Sequence, residues 1–181
     1  IDSVAFSGCA MTNFYLPDSV EYLGDSVFER TPLTHFEFND KIDTFKDIFP
    51  ICKNLRTVVL GKGIKKIESG ALGGTSKIDT IYYRGSKSDW EKINVTDVAS
   101  ALKNIKIVYN YGQTSGVCGD NLTWSLQPDL FQITVEGSGD MYSYDNAEDF
   151  AWSSTADDVT GVVIGNGVTS VGKNAFNGFP H

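Results

Sequence analysis

The chain has 181 residues, of which 41% are hydrophobic and 21% charged, and its net charge is −8, a globular composition with room for one domain or two small ones. Residues 1–111 carry 14 basic and 14 acidic side chains, whereas residues 112–181 carry Lys173 against nine acidic ones. That balance disfavours nucleic acid and anionic membrane as partners, and no apolar run approaches the roughly 20 residues that span a bilayer.

From the first residues onward one pattern recurs. A small or β-branched residue is followed by an apolar one at Ala5-Phe6, Val27-Phe28, Ile48-Phe49 and Ala71-Leu72, with steps of 22, 21 and 23 between the second members. Three further columns keep the beat: Met11, Leu33, Leu55 and Ile78; Phe14, Phe36, Val58 and Ile81; Leu16, Phe38, Leu60 and Tyr83. A fixed period of about 20–29 residues around an L-x-x-L-x-L core is the mark of a leucine-rich solenoid, in which each coil buries its apolar face only by stacking on its neighbours.

Within each coil, alternation predicts strands at Leu33–Phe38, Leu55–Leu60 and Ile78–Tyr83, with one row of side chains inward and the intervening row outward. A turn follows each strand, as at Leu16–Val20, Phe38–Ile42 and Leu60–Ile64. The next core positions are Leu23, Phe45 and Ile67. No helical stripe of period 3.6 appears, so mostly strand and irregular structure is expected.

After Tyr83 the rhythm breaks. Ser88 and Glu91 have capping-box spacing, which predicts a helix over about 88–93; a second is expected over about 97–103 and a strand over 105–109. This stretch is read as the cap that covers the array's open apolar end, with Trp90 as its plug. The polar run Asn110–Ser115 marks a boundary. Leu122–Leu126 and Phe131–Glu136 then alternate cleanly and read as a β-hairpin. Met141–Asp158 is aromatic and acidic. From Val162 the repeat resumes, with a turn at Ile164–Val168, a core position at Val171 and the closing pair Ala175-Phe176.

The expected fold is therefore mainly β. It is a leucine-rich-repeat solenoid of about 22-residue coils with parallel strands and a small capping unit with short helices, then an antiparallel β-hairpin unit leading into a second, truncated array. The expected division is 1–111, with the cap at about 84–111, and 112–181, with the hairpin unit at about 116–160 and the second array from about 161. Because Ile1–Phe6 already lies within a coil and Phe176–Phe179 opens another, the chain is expected to be part of a longer protein, with any leader or anchor outside it. Its open ends are expected to favour end-to-end self-association through unpaired strand edges.

These residues resemble the BspA-type leucine-rich repeats of bacterial and protozoan surface proteins. Leu23-Gly24 with Val27-Phe28, Ile67-Glu68 with Ala71-Leu72, and Val171-Gly172 with Ala175-Phe176 follow that pattern. Cys9 and Cys52 sit at its cysteine position, and Thr31, Thr75 and Phe179 depart from it. Ile81–Ile93 looks like the closing unit of such arrays, and Cys118–Tyr142 like the β-rich unit between them. The resemblance implies a secreted or cell-surface protein engaged in adhesion and protein binding, without a shared active site.

Few residues point to chemistry. The histidines are His35, predicted to face out from a strand, and His181; neither has a Cys or His at zinc-ligand spacing. Cys9 and Cys52, two coils apart, would be separated by about 9–10 Å, beyond the roughly 7 Å that a disulfide spans; they read as small buried core residues, and Cys118 stands alone in a turn-rich stretch. Gly61-Lys-Gly63, Gly137-Ser-Gly139 and Gly165-Asn-Gly167 do not complete a nucleotide-binding motif. For the acidic residues Asp145, Glu148, Asp149, Asp157 and Asp158 the choice lies between a solvated loop and calcium, and the ligand order of an EF-hand is absent. No cofactor, metal site or catalytic residue is expected.

The outward strand rows are the better candidates. Tyr15, Glu37, Val59 and Tyr82 form one row, and Asn13, His35, Thr57 and Thr80 the next. Exposed aromatics on such a sheet anchor a protein or stack on a sugar. Tyr15, His35, Glu37, Val59 and Tyr82 are accordingly the candidate binding residues of a non-enzymatic module for a host or cell-surface protein or glycan. The alternatives are an accessory targeting module of a secreted enzyme and a structural stalk.

Overall fold

The computed structural model describes residues 1–75 and 77–179; His181 lies outside the described residues. The chain forms two compact units, 1–108 and 109–181.

In the first unit, short strands come once or twice per coil: β1 (His35–Glu37), β2 (Thr44–Phe45), β3 (Thr57–Leu60), β4 (Lys66–Ile67) and β5 (Thr80–Tyr83). After β5 come helix α1 (Lys87–Trp90), a 3-10 turn at Thr96–Val98, helix α2 (Ala99–Leu102) and strand β6 (Lys106–Val108). All pairings are parallel, in a sheet of order β1-β3-β5-β6 and a second sheet of β2 and β4. The register sets Phe36 beside Val58 and Val58 beside Ile81, and likewise Glu37, Val59 and Tyr82. Columns spaced by the repeat period thus become neighbours on adjacent strands. The first coil carries no strand, yet it is tied on through Phe6 N–H to the Val27 carbonyl (2.9 Å) and Val4 N–H to the Asp25 carbonyl (3.0 Å).

The interior is aromatic. Phe28, Phe36, Phe38, Phe45 and Phe49 are fully buried, and the closing-pair rings Phe6, Phe28 and Phe49 stack in sequence at 5.7 Å per step. The cysteine column closes turns by hydrogen bonding: the Thr31 hydroxyl donates to the Phe28 carbonyl (2.8 Å), as does the Cys52 thiol (2.9 Å). Cys52 is buried as expected, but Cys9 is only half-buried, because among the described residues its coil has a neighbour on one side only; all three cysteines are free thiols. The Gly61–Gly63 turn is a packing device: a Cβ at Gly61 would overlap the Asn39 carbonyl, and one at Gly63 the Asp40 carbonyl.

The closing pair is reached through left-handed backbone on either side. Val4 and Gly8 flank the first pair (φ +57° and +73°), Ser26 and Arg30 the second (+57° and +54°), and Ile51 follows the third (+62°). A β-branched residue there is strained, and Ile51 is largely exposed. The left-handed conformation costs an L-residue roughly 1–2 kcal/mol, and glycine gives back roughly 0.5–1 kcal/mol as lost chain entropy. Ile51→Gly is therefore expected to stabilise the protein by about 0.5–1 kcal/mol, read as an upward shift of the urea midpoint; a downward shift would show that the isoleucine side chain outweighs its backbone strain.

The N-cap of α1 lies two residues earlier than the Ser88–Glu91 spacing predicts, and the helix ends at Trp90. Ser86 is the N-cap: its hydroxyl accepts from Asp89 N–H (3.2 Å) and donates to Asp89 Oδ2 (2.7 Å). The same spacing two residues upstream wins because Asp89 also takes Lys92 Nζ at 2.9 Å, and these bonds, Lys92 first, hold its carboxyl below the usual carboxylate range. Trp90 is half-buried, edge-on to the buried Tyr83 ring at 5.5 Å.

The second unit contains β7 (Ser115–Gly119), β8 (Leu122–Gln127), β9 (Gln132–Gly137), β10 (Gly139–Asp140), β11 (Gly161–Ile164) and β12 (Val168–Ser170). β7, β8 and β9 are antiparallel, and β11 adds parallel to β9 as β12 does to β10. Cys118 lies in β7 and is buried, not in a loop; burial pushes its thiol up to about 11. Phe131, expected to open the second hairpin strand, lies before β9, exposed and left-handed (φ +48°). Val171, expected in the core, is 52% exposed, since among the described residues no further coil covers its side. Val162, Val163 and Ile164 are partly exposed along the same edge. Two aromatic residues of the acidic segment go inward, Phe150 and Trp152, which pack with Trp124, Ile133, Val135 and Met141 in one core, whereas Tyr142 is exposed.

Candidate functional site

On the outward face of the first unit, the start of the sheet borders a groove of about 320 Å³. Alternation along β1 points His35 and Glu37 to the same face. His35 Nε2 lies 2.9 Å from Glu37 Oε1. The other carboxylate oxygen, Oε2, accepts from Arg84 Nη2 at 2.6 Å, and Arg84 Nη1 donates to the Phe38 carbonyl at 3.1 Å. Arg84 follows β5, so its side chain reaches past β3 to β1. A half-exposed ion pair such as Arg84–Glu37 contributes only about 0–1 kcal/mol. The effect of these contacts is positional, because both oxygens of Glu37 are held before any partner arrives.

The opposite wall comes from the first coil, where Tyr15 is 96% exposed and Asn13 and Asp18 stand beside it. The rim is fixed from below by Asn39, whose Nδ2 donates to the Pro17 and Val20 carbonyls (2.7 and 2.9 Å) and whose Oδ1 accepts from Lys41 and Ile42 N–H (2.9 and 3.2 Å). The buried amide is thereby satisfied, as burial requires.

Of the five sequence candidates, Tyr15, His35 and Glu37 line the groove. Tyr82 stands on the same row two strands from Glu37, half-buried and outside the groove lining. Val59 is a correction: it occupies the outward row, yet it is fully buried. The Arg84–Glu37 bridge spans the strand that carries it, so this valine supports the polar pair and is not a contact residue. Arg84 itself escaped the sequence reading. Its signal was there: it continues the outward row two residues beyond Tyr82.

The groove lining includes no serine, threonine or cysteine that His35 could activate as a nucleophile. Among the described residues, no group of three or more His, Cys, Asp and Glu side chains is placed to hold a metal ion. The groove sets an exposed aromatic ring, Tyr15, beside donors and acceptors that are already fixed.

Comparison with known proteins agrees with the repeat architecture. The family model described as BspA type Leucine rich repeat region (6 copies) matches residues 1–94. No curated protein and no solved structure matches the chain. The matched residues are the stacked coils and the start of the segment after β5, just over half of the sequence, and the chain belongs to the BspA-type leucine-rich repeat family.

Proposed function

We propose that the chain is a non-enzymatic interaction module, secreted or on a cell surface, that takes a protein or glycan partner on the face of β1, β3 and β5. The observation that carries this reading is Tyr15, almost wholly exposed at the edge of a groove whose charged residues are already fixed. A ring in that position contributes nothing to the core. It supplies contact area at low entropic cost when a partner covers it. Placement outside the cell rests on the likeness to surface proteins; among the described residues no helix is long and apolar enough to cross a membrane. In this reading residues 84–108 close the first array, with β6 as the last strand and Trp90 against Tyr83.

The test is a pair of substitutions, Tyr15→Ala with Tyr82→Ala, applied to arrays of extracellular proteins and of glycans. Signals given by the wild-type chain are expected to fall at least about tenfold, the loss of one or two aromatic anchors, while the melting temperature stays unchanged. Binding that survives both substitutions rules out this face.

A further inference from the structure

A second cavity opens in the first unit and shares no residue with the groove. It measures about 200 Å³ and is lined by Lys62, Lys65, Tyr83, Asp89, Lys92 and Ile93 among others. We infer that it is a binding site for an acidic sugar residue, one that carries a carboxylate or sulfate beside ring hydroxyls.

The lysines are held from the backbone. Lys62 N–H donates to Asp40 Oδ1 (2.8 Å). Lys65 N–H donates to the Asp43 carbonyl (2.7 Å), and the Lys65 carbonyl accepts from Asn94 N–H (2.9 Å). Three other lysines of the unit have carboxylate partners, Lys41 with Glu21, Lys46 with Asp25 and Lys66 with Glu68, whereas Lys53 and Lys103 stand exposed without one among the described residues and line no part of this cavity. Lys62 and Lys65 have none among the described residues. Two unpaired ammonium groups at one cavity, on a chain whose net charge is −8, select an anion.

The rest of the lining asks for more than a bare anion. Asp89 would repel one, but its charge is matched by Lys92 at 2.9 Å and satisfied by the Ser86 hydroxyl at 2.7 Å, which leaves a carboxylate suited to accepting hydrogen bonds from hydroxyls. Tyr83 is buried except where it meets the cavity, and its hydroxyl bonds to no described residue. The glycine at 85 keeps it there, since a Cβ at that position would lie 2.5 Å from the tyrosine ring. Ile93 gives an apolar patch for a ring face. Cationic groups for the acid, a carboxylate and a phenol for the hydroxyls, and apolar floor for the ring are the needs of one acidic monosaccharide unit.

The experiment uses the full chain and calorimetric titration with three probes: a heparin-derived tetrasaccharide, a tetragalacturonate and the neutral maltotetraose. Binding of a charged probe and not of maltotetraose is expected, and which charged probe binds distinguishes sulfate from carboxylate. Lys62→Gln with Lys65→Gln is expected to weaken that binding by about tenfold or more, as for loss of charged hydrogen bonds. Lys53→Gln with Lys103→Gln, the same charge change at exposed positions elsewhere on the unit, is expected to change it less than twofold. Equal losses in the two pairs would mean diffuse charge attraction and overturn the site. So would a wild-type chain that binds neither charged probe, or inorganic sulfate that displaces the saccharide at equal concentration. Tyr15→Ala with Tyr82→Ala should leave this binding intact, so the groove and the cavity stand or fall separately.

Discussion

Phe28→Ala is expected to destabilise the first unit by about 3–5 kcal/mol, the cost of emptying a fully buried phenylalanine site. That is a large share of the roughly 5–15 kcal/mol that holds a domain folded. Phe28 sits where the columns meet. Its ring stacks between Phe6 and Phe49, each at 5.7 Å, and meets Phe14 at 4.8 Å and Phe36 at 5.1 Å. It therefore joins three successive coils, and its backbone carbonyl also receives the Thr31 hydroxyl and the Cys52 thiol. Local collapse closes the void poorly, since Phe36 and Phe49 are held edge-on to each other at 5.0 Å and packed in turn against Phe38 and Phe45. In a solenoid the interface between coils is the stability, so the loss should spread along the array. Urea unfolding followed by Trp90, which lies in this unit, reads the effect. Phe6→Ala makes the internal comparison: its ring is half-buried at the end of the stack, and it should cost distinctly less. Equal costs for the two would mean that the stack is not the organising core.

The contrast between Phe28 and Val59 shows what a periodic sequence makes legible. Columns at a constant interval, combined with alternation along each strand, fix the neighbours of Phe36, Val58 and Ile81 without reference to anything distant. The same rule places Val59 on the outward row, and that is correct. Its burial was not legible, because the cover comes from Arg84 reaching across two strand spacings to Glu37. Outwardness is a property of the strand, whereas exposure depends on the lengths and partners of side chains elsewhere. β7 was hidden for a related reason. Ser115–Gly119 contains two glycines and little alternation, so its strand character comes from pairing with β8 and not from its own residues. The groove was half legible for the same reasons: Tyr15, His35 and Glu37 follow from alternation, and Arg84 follows only once its reach is known.

Trp152→Ala is expected to unfold the second unit while the first keeps its own transition. The acidic segment 141–158 has no repeat period to hold it, and its 3-10 turns at Ala147–Asp149 and Ser153–Asp158 bury no residue of their own. Its order comes from the residues between those turns. The Trp152 indole stacks on Phe176 at 5.3 Å and on Phe150 at 5.2 Å, and meets the edge of Trp124 at 5.7 Å. Its Nε1 donates to the Ala175 carbonyl at 2.8 Å. One side chain thus ties the segment both to the β8–β9 hairpin and to the closing pair of the following coil. Truncation removes about 3–5 kcal/mol of packing and leaves the Ala175 carbonyl without its donor, about 1–3 kcal/mol more if it stays dry. Trp152→Phe separates these two losses, since it keeps most of the stack and deletes only the hydrogen bond; its cost is expected to lie near the second figure alone. Near-UV circular dichroism should show the Trp124 environment collapsing in the alanine variant. The same variants decide what orders the segment. Asp145, Glu148, Asp157 and Asp158 are all exposed, whereas the two aromatics are buried. If the aromatic anchor is the cause, neither calcium nor a chelator should shift the wild-type melting temperature, and calcium should not restore Trp152→Ala. A rescue by calcium would instead assign the order to an ion held by those carboxylates.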